Sequence, residues 1–261
     1  MNRQRAEPLV ITPLAGLPLI KPGSDLPALI RDALEVRGID LRSGDILVLA
    51  QKIISKAEGR KVNLTGVSPS PRARELAEQT GKDPREVELI LQESKQVLRT
   101  RPGLIIVEHR LGFICANAGI DHSNVDPGES ARKDWVLLLP QDPDGSAGII
   151  RERMEQLTGV KVGVMIVDSH GRSWRLGTVG TSIGLAGMPG LVDLRGEPDL
   201  FEEKLRTTQI GAADELAAGA SLVMGQAGEG LPAVHVRGFP YELREASLQE
   251  LLRPEEEDLF R

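Results

Sequence analysis

One cysteine, Cys115, stands in the whole 261-residue chain, so no internal disulfide can form and a reducing cytoplasm is the expected compartment. Set in an apolar stretch, it is expected to be an inert, buried thiol. Aromatic residues are nearly as scarce: two Trp, one Tyr and four Phe, or 3% of the chain. Single-strand nucleic-acid binders stack bases on such rings, and few are on offer. Basic residues are not in surplus either, because 32 Lys and Arg face 38 Asp and Glu for a net charge of -6. That balance disfavours a nucleic-acid partner, which is bound by displacing counterions from phosphates. No apolar run approaches the roughly 20 residues that span a bilayer. The first residues pair Arg3 and Arg5 with apolar clusters, but Pro8, Pro13 and Pro18 and the lack of a small-residue cleavage site argue against a signal peptide. A soluble, cytoplasmic protein with no membrane partner is expected.

Several signatures of chemistry are also missing. There is no Walker A sequence, no G-x-G-x-x-G between a strand and a helix, no Cys/His spacing for zinc and no Gly-x-Ser-x-Gly elbow. No internal repeat or low-complexity linker divides the chain. A chain of this length buries roughly 70–75% of its extended surface, enough for one large domain or two small interlocked ones.

Apolar runs and their caps give the order of elements. Leu9 to Ile11 reads as a short strand, and Ser24 or Asp25 can cap a helix carrying Leu26, Leu29, Ile30, Ala33 and Leu34, closed by Gly38. Asp45 to Ala50 is a buried strand that empties into Gln51, Lys52, Ile53, Ile54, Ser55, Lys56 and on to Arg60. Those cations and hydroxyls suit an anionic ligand, or form a solvated basic loop. Ser70-Pro71 and Asp83-Pro84 read as N-caps with first-turn prolines, and the second helix is expected to carry Val87, Ile90, Leu91 and Leu98 on one stripe. Leu104 to Glu108 and Leu111 to Ala116 form a hairpin, and Trp135 to Leu139 a further strand. A helix through Ile150 and Met154 stops at Gly159, Ala212 to Met224 is helical, and Pro232 to Arg237 is a last strand. The glycines from Gly177 to Gly190 permit close backbone approach, in tightly packed sheet or under a ligand.

Two stretches stand out chemically. Phe113 to Ala116 is an apolar strand that dissolves into Asn117-Ala118-Gly119-Ile120-Asp121-His122-Ser123-Asn124, and Lys161 to Val167 is another that finishes on Asp168, followed by Ser169, His170, Gly171 and Arg172. Each alone reads as a turn or a cap. Together they suggest two carboxylates brought side by side, where they repel unless a divalent cation lies between them. Gly225 to Gly230 adds a run of backbone N–H groups able to form an anion-binding nest.

These blocks, in one order, resemble the coenzyme F-420:L-glutamate ligase family in its stand-alone form, without a C-terminal flavin domain. The resemblance rests on Gly16 to Lys21, Ile54-Ser55-Lys56-Ala57-Glu58-Gly59-Arg60, Asn117 to Asp121 with Ser123-Asn124, Leu139-Pro140 with Asp142 to Ser146, Asp168 with Gly171-Arg172, and Gly225 to Gly230 before Pro232-Ala233. It implies an α+β fold, a single ligase domain over residues 1–261 with a large mixed or antiparallel sheet, flanking helices and two interlocked subdomains. It also implies a homodimer. The implied activity is GTP-dependent ligation of L-glutamate to the lactyl carboxylate of coenzyme F-420-0 through an acyl phosphate, with further gamma-linked addition. Mg2+ or Mn2+ at two sites and K+ are the implied ions. Carried over by position, Asp121 and Asp168 match one metal site, and Ser169 with Gln226 a second. Leu17, Pro18, Leu19, Ile20, Gln51, Lys52, Lys56, Asn124 and the loop Met224, Gly225, Gln226, Ala227, Gly228, Glu229, Gly230 and Leu231 match nucleotide-contacting positions. Gln226 stands where some relatives have glutamate, so its amide oxygen is the weaker cation ligand. Lys52, Lys56 and Arg172 are the candidate catalytic residues, the lysines for phosphoryl charge and Arg172, with Arg175, for clamping a substrate anion. The alternative reading is a metal-dependent phosphohydrolase acting on a nucleotide or sugar phosphate.

Overall fold

A computed structural model of the chain describes residues 8–123 and 134–259. Its elements, in chain order, are β1 (Val10–Pro13), α1 (Leu26–Val36), β2 (Ile46–Ala50), α2 (Gln51–Ala57), β3 (Lys61–Asn63), α3 (Pro71–Thr80), α4 (Pro84–Gln92), β4 (Ser94–Arg101), β5 (Leu104–His109), β6 (Ile114–Ala116), β7 (Trp135–Leu137), α5 (Pro143–Thr158), β8 (Gly163–Arg172), β9 (Arg175–Ala186), β10 (Val192–Asp193), β11 (Gln209–Ile210), α6 (Ala212–Met224) and β12 (Ala233–Arg237). The class is α+β, as expected.

A five-stranded mixed sheet in the order β1-β12-β2-β8-β9 organises the molecule. Only its β2–β8 pair is parallel, with Ala50 opposite Val167. Strand side chains alternate between faces. Leu47, Leu49, Val164 and Ile166 therefore pack under α1, α2 and α5, while Ile46, Val48, Met165 and Val167 pack under α6. Both faces are covered, which is why β2 reads as an unbroken apolar run. A second lobe, built by residues between β2 and β8, has its own core: α3 and α4 close over the β4-β5-β6 sheet through Leu76, Val87, Ile90, Ile105 and Val107.

The caps follow the sequence. Asp25, Ser70 and Asp83 each accept a backbone N–H at the start of their helix, and Gly159 ends α5 in the left-handed region. Asp142 satisfies its own helix start, accepting from Gly145 N–H at 3.0 Å.

Three expectations are corrected. Leu98 does not extend the α4 stripe, because α4 ends at Gln92 and Leu98 lies in β4, paired with β5. Gln51 to Ala57 is not loop but helix α2, whose Ile53 and Ile54 are buried in the core. Asp168 does not end its strand: β8 runs on to Arg172 and turns directly into β9. The glycine run is packed sheet at Gly180 and Gly184, where a Cβ would collide with Ala217 O on α6 and with Pro143 on α5.

Candidate active site

The parallel β2–β8 pair fixes the geometry, since parallel strands release their C-terminal ends on one edge of a sheet. Gln51 and Lys52 follow β2 directly, and Asp168 sits one residue beyond the Ala50–Val167 register. The second lobe delivers Asp121 to the same edge. Its approach is a tight turn in which Asn117 and Ala118 take φ values of 49° and 51°, an unusual backbone for residues with a Cβ. Asn117 steadies that turn by accepting Ile105 N–H at 3.0 Å, and Asp121 is then clamped by two 2.9 Å backbone hydrogen bonds with Leu137.

A cleft of about 640 Å³ results, lined by Lys52, Asp121, Asp168, Ser169 and the run 224–231, among others. Gln51 donates from Nε2 to Asp121 Oδ2 at 2.9 Å, and Lys52 Nζ lies 3.3 Å from Asp121 Oδ1. Lys52 also donates to Ser123 Oγ at 2.6 Å. Across the cleft, His170 Nε2 is 3.1 Å from Asp168 Oδ2, and Ser169 Oγ donates to Gln226 Oε1 at 2.7 Å. Burial holds the Asp121 carboxyl above the usual carboxylate range, and the Asp168 charge adds to it against the pull of Lys52. The two acids, 47 positions apart in sequence, are therefore electrostatic neighbours.

The glycine-rich loop closes the far side. Gly225 ends α6 with φ 73°, and Ala227 N–H donates to Glu229 Oε2 at 2.8 Å. Backbone N–H groups at 226, 227 and 229 hold that carboxylate below its ordinary range. The nest exists and is filled by the loop's own acid.

Among the positions expected to contact a nucleotide, Leu19 is exposed at the cleft, Leu17 and Ile20 pack against the core, and Pro18 is exposed outside the cleft lining. Gln51 lines the cleft but is only 1% exposed. Lys56 lies a turn further along α2 and does not line the cleft. Arg172 sits at the exposed tip of the β8–β9 hairpin, where it donates to Leu176 O at 3.1 Å. Asn124 and the passage Asp126 to Glu129 lie outside the described residues. Cys115 is buried, and burial, with Asp168 nearby, pushes its thiol up to about 12.

Two groups escaped the sequence reading. His170 was visible only as a neighbour of Asp168, yet residues i and i+2 of a strand share a face, so its bond to Asp168 was legible in principle. Thr178 lines the cleft from β9 and carries no signal in the sequence.

The donor set suits a hard divalent cation: two carboxylates with hydroxyl and amide oxygens beside them. Among the described residues no group of three or more His, Cys, Asp or Glu side chains converges elsewhere or here, so such a cation would rest on the two acids and on neutral oxygens. No helix among the described residues is long and apolar enough to cross a membrane.

Comparison with known proteins places this chain in a class of ligases. Residues 16–238 match the family model described as F420-0:Gamma-glutamyl ligase, and the chain belongs to that family. Relatives called coenzyme F420:L-glutamate ligase are similar along nearly their whole length. The Methanothermobacter thermautotrophicus protein is 49% identical over 94% of this chain and 96% of its own. Those of Methanopyrus kandleri and Archaeoglobus fulgidus are 46% identical, covering 93% of both chains, and 44% identical, covering 96% of both.

Proposed function

We propose that this protein is a coenzyme F420:L-glutamate ligase, joining the amine of L-glutamate to a carboxylate of coenzyme F420-0 while GTP is converted to GDP and phosphate. The observation that carries this reading is the meeting of Asp121 and Asp168, from separate lobes, beside Lys52 and the 224–231 loop in a member of this family.

A carboxylate does not react with an amine at neutral pH, because its carbon is electron-rich and oxide is not a usable leaving group. In the reaction we propose, a carboxylate oxygen attacks the γ-phosphorus of GTP and GDP departs, giving an acyl phosphate. The glutamate nitrogen then attacks the acyl carbon, phosphate leaves, and the nitrogen loses a proton. Two anions must approach one another in the first step, so the site's task is charge neutralisation and alignment. Mg2+ or Mn2+, when bound by Asp121 and Asp168 with Ser169 and Gln226 as a second set, would supply most of that neutralisation. Lys52 brings an ammonium group to the same cleft, and the backbone N–H groups of the glycine-rich loop, which here hold the Glu229 carboxylate, would receive phosphate oxygens once that side chain gives way. Further gamma-linked additions, a role for K+, a contribution from Lys56 and a homodimeric assembly belong to the same reading.

Mass spectrometry of F420-0 incubated with the protein, GTP, Mn2+ and L-glutamate tests it. A product heavier by one glutamyl residue, absent without GTP or without glutamate, is expected. GTP turnover indifferent to glutamate, with no such product, would instead identify a phosphohydrolase.

A further inference from the structure

Gln51 is the first residue of α2 and Ser55 lies one turn later, so their side chains meet on the same helix face. Both are almost fully buried, at 1% and 0% exposure, beside the apolar Ile53 and Ile54. Ser55 Oγ donates to Gln51 Oε1 at 2.9 Å, and Gln51 Nε2 donates to Asp121 Oδ2 at 2.9 Å. An ionised carboxylate only accepts, so the amide must turn its NH2 to Asp121 and its carbonyl inward, where among the described residues Ser55 donates to it. Without that hydroxyl the buried carbonyl loses this donor, which weakens the hold on the amide orientation that faces Asp121. Both polar ends of Gln51 are thus engaged within the protein. Asp121 Oδ2 accepts from Gln51, and Oδ1 lies 3.3 Å from Lys52 Nζ, so the amide fixes the carboxylate from one side.

We propose that Ser55 is a positioning residue that acts through Gln51 to hold the Asp121 carboxylate in place for a divalent cation. This rests on the reading of Asp121 as a cation ligand. Hydrogen-bond partners of ligands commonly govern cation affinity in this way, by about 10–100-fold.

The test is titration of the full chain, without nucleotide, with Mn2+, followed by the paramagnetic signal of free Mn2+ and with melting temperature as a control. Ser55→Ala is expected to weaken Mn2+ binding about tenfold, the low end for such partners. Gln51→Met should weaken it at least as much, and Ser55→Ala should add nothing in the Gln51→Met background. Independent, multiplying effects would overturn the relay, as would wild-type affinity in Ser55→Ala when Asp121→Ala has lost binding. Wild-type protein that binds no Mn2+, or Asp121→Ala that binds it normally, would overturn the cation-ligand reading itself and this proposal with it. Should Ser55→Ala fail to fold, Ser55→Cys fills the space with a weaker donor: reduced affinity supports the relay, and unchanged affinity overturns it.

Discussion

Gly225→Ala is the substitution whose effect the structure determines most directly. Gly225 has φ 73° and ψ 179°, a backbone region essentially reserved for glycine. Holding any other residue there costs about 1–3 kcal/mol. The added Cβ would also lie well inside van der Waals distance of the Glu229 carboxylate group, so that side chain must leave the N–H groups that hold it. Glu229 is exposed, and its departure is a local change rather than a loss of core. In a chain of this size each kcal/mol moves the melting temperature by about 2–4 °C, which gives a fall of about 2–12 °C for Gly225→Ala. Thermal unfolding followed by circular dichroism measures it. In a Glu229→Ala background the collision disappears while the backbone strain remains, so most of the fall should persist. An unchanged melting temperature in Gly225→Ala, or full rescue by Glu229→Ala, would refute the assignment of the cost to the backbone.

Lys52→Met removes the ammonium beside Asp121 and should lower kcat by about 10²–10³-fold with little change in melting temperature, measured as glutamate-dependent release of phosphate. Asp45 is buried and receives two hydrogen bonds from Arg237, at 2.9 and 2.7 Å, so Asp45→Asn should cost about 2–3 kcal/mol in chemical denaturation, at or below the low end for a broken buried pair because Arg237 keeps contact with water. Burial pushes Asp45 and Glu93 up, but hydrogen bonds outweigh it, from Arg237 and His235 in one case and Arg60 and Arg110 in the other, leaving both below the usual range. Their stabilisation is therefore complete above the unfolded carboxylate range, about pH 4, and is lost as pH falls through the lower folded values, so the share of the melting temperature that these two groups supply should disappear only below about pH 4. If Arg172 clamps a substrate carboxylate or phosphodiester, Arg172→Lys should raise the KM for F420-0 or glutamate more than that for GTP; equal shifts would count against a clamp.

Much of this architecture is written in local chemistry. The Asp25, Ser70 and Asp83 caps and the apolar runs at Ile46–Ala50 and Gly163–Val167 were readable because each is a local cause of local structure. Leu98 was misplaced because β4 follows α4 with one residue between them, and Ser94 accommodates the change by donating to Ile90 O at 2.5 Å. Gln51 to Ala57 left a strand-end anion site and a solvated basic loop equally open, and gave no sign of a helix, because the helix is only seven residues long and buries its polar first residue against Asp121. Asp168 seemed to end a strand because the chain turns polar there. In fact β8 leaves the core and continues as an exposed hairpin, where pairing with β9 no longer requires apolar side chains. That the two aspartates meet was expected from their settings, but the edge on which they meet depends on the parallel β2–β8 pairing, a contact between residues more than 100 positions apart.

Asp121 is carried by the lobe with the α3–α4 core, whereas Asp168 and Gln226 are carried by the five-stranded sheet and its helix. Anything that grips both sides is consequently a rivet through a seam, and its binding energy adds to the cohesion of the two bodies. Their melting should become more nearly a single event as ligand is added, and proteolytic nicking along the seam should slow in step.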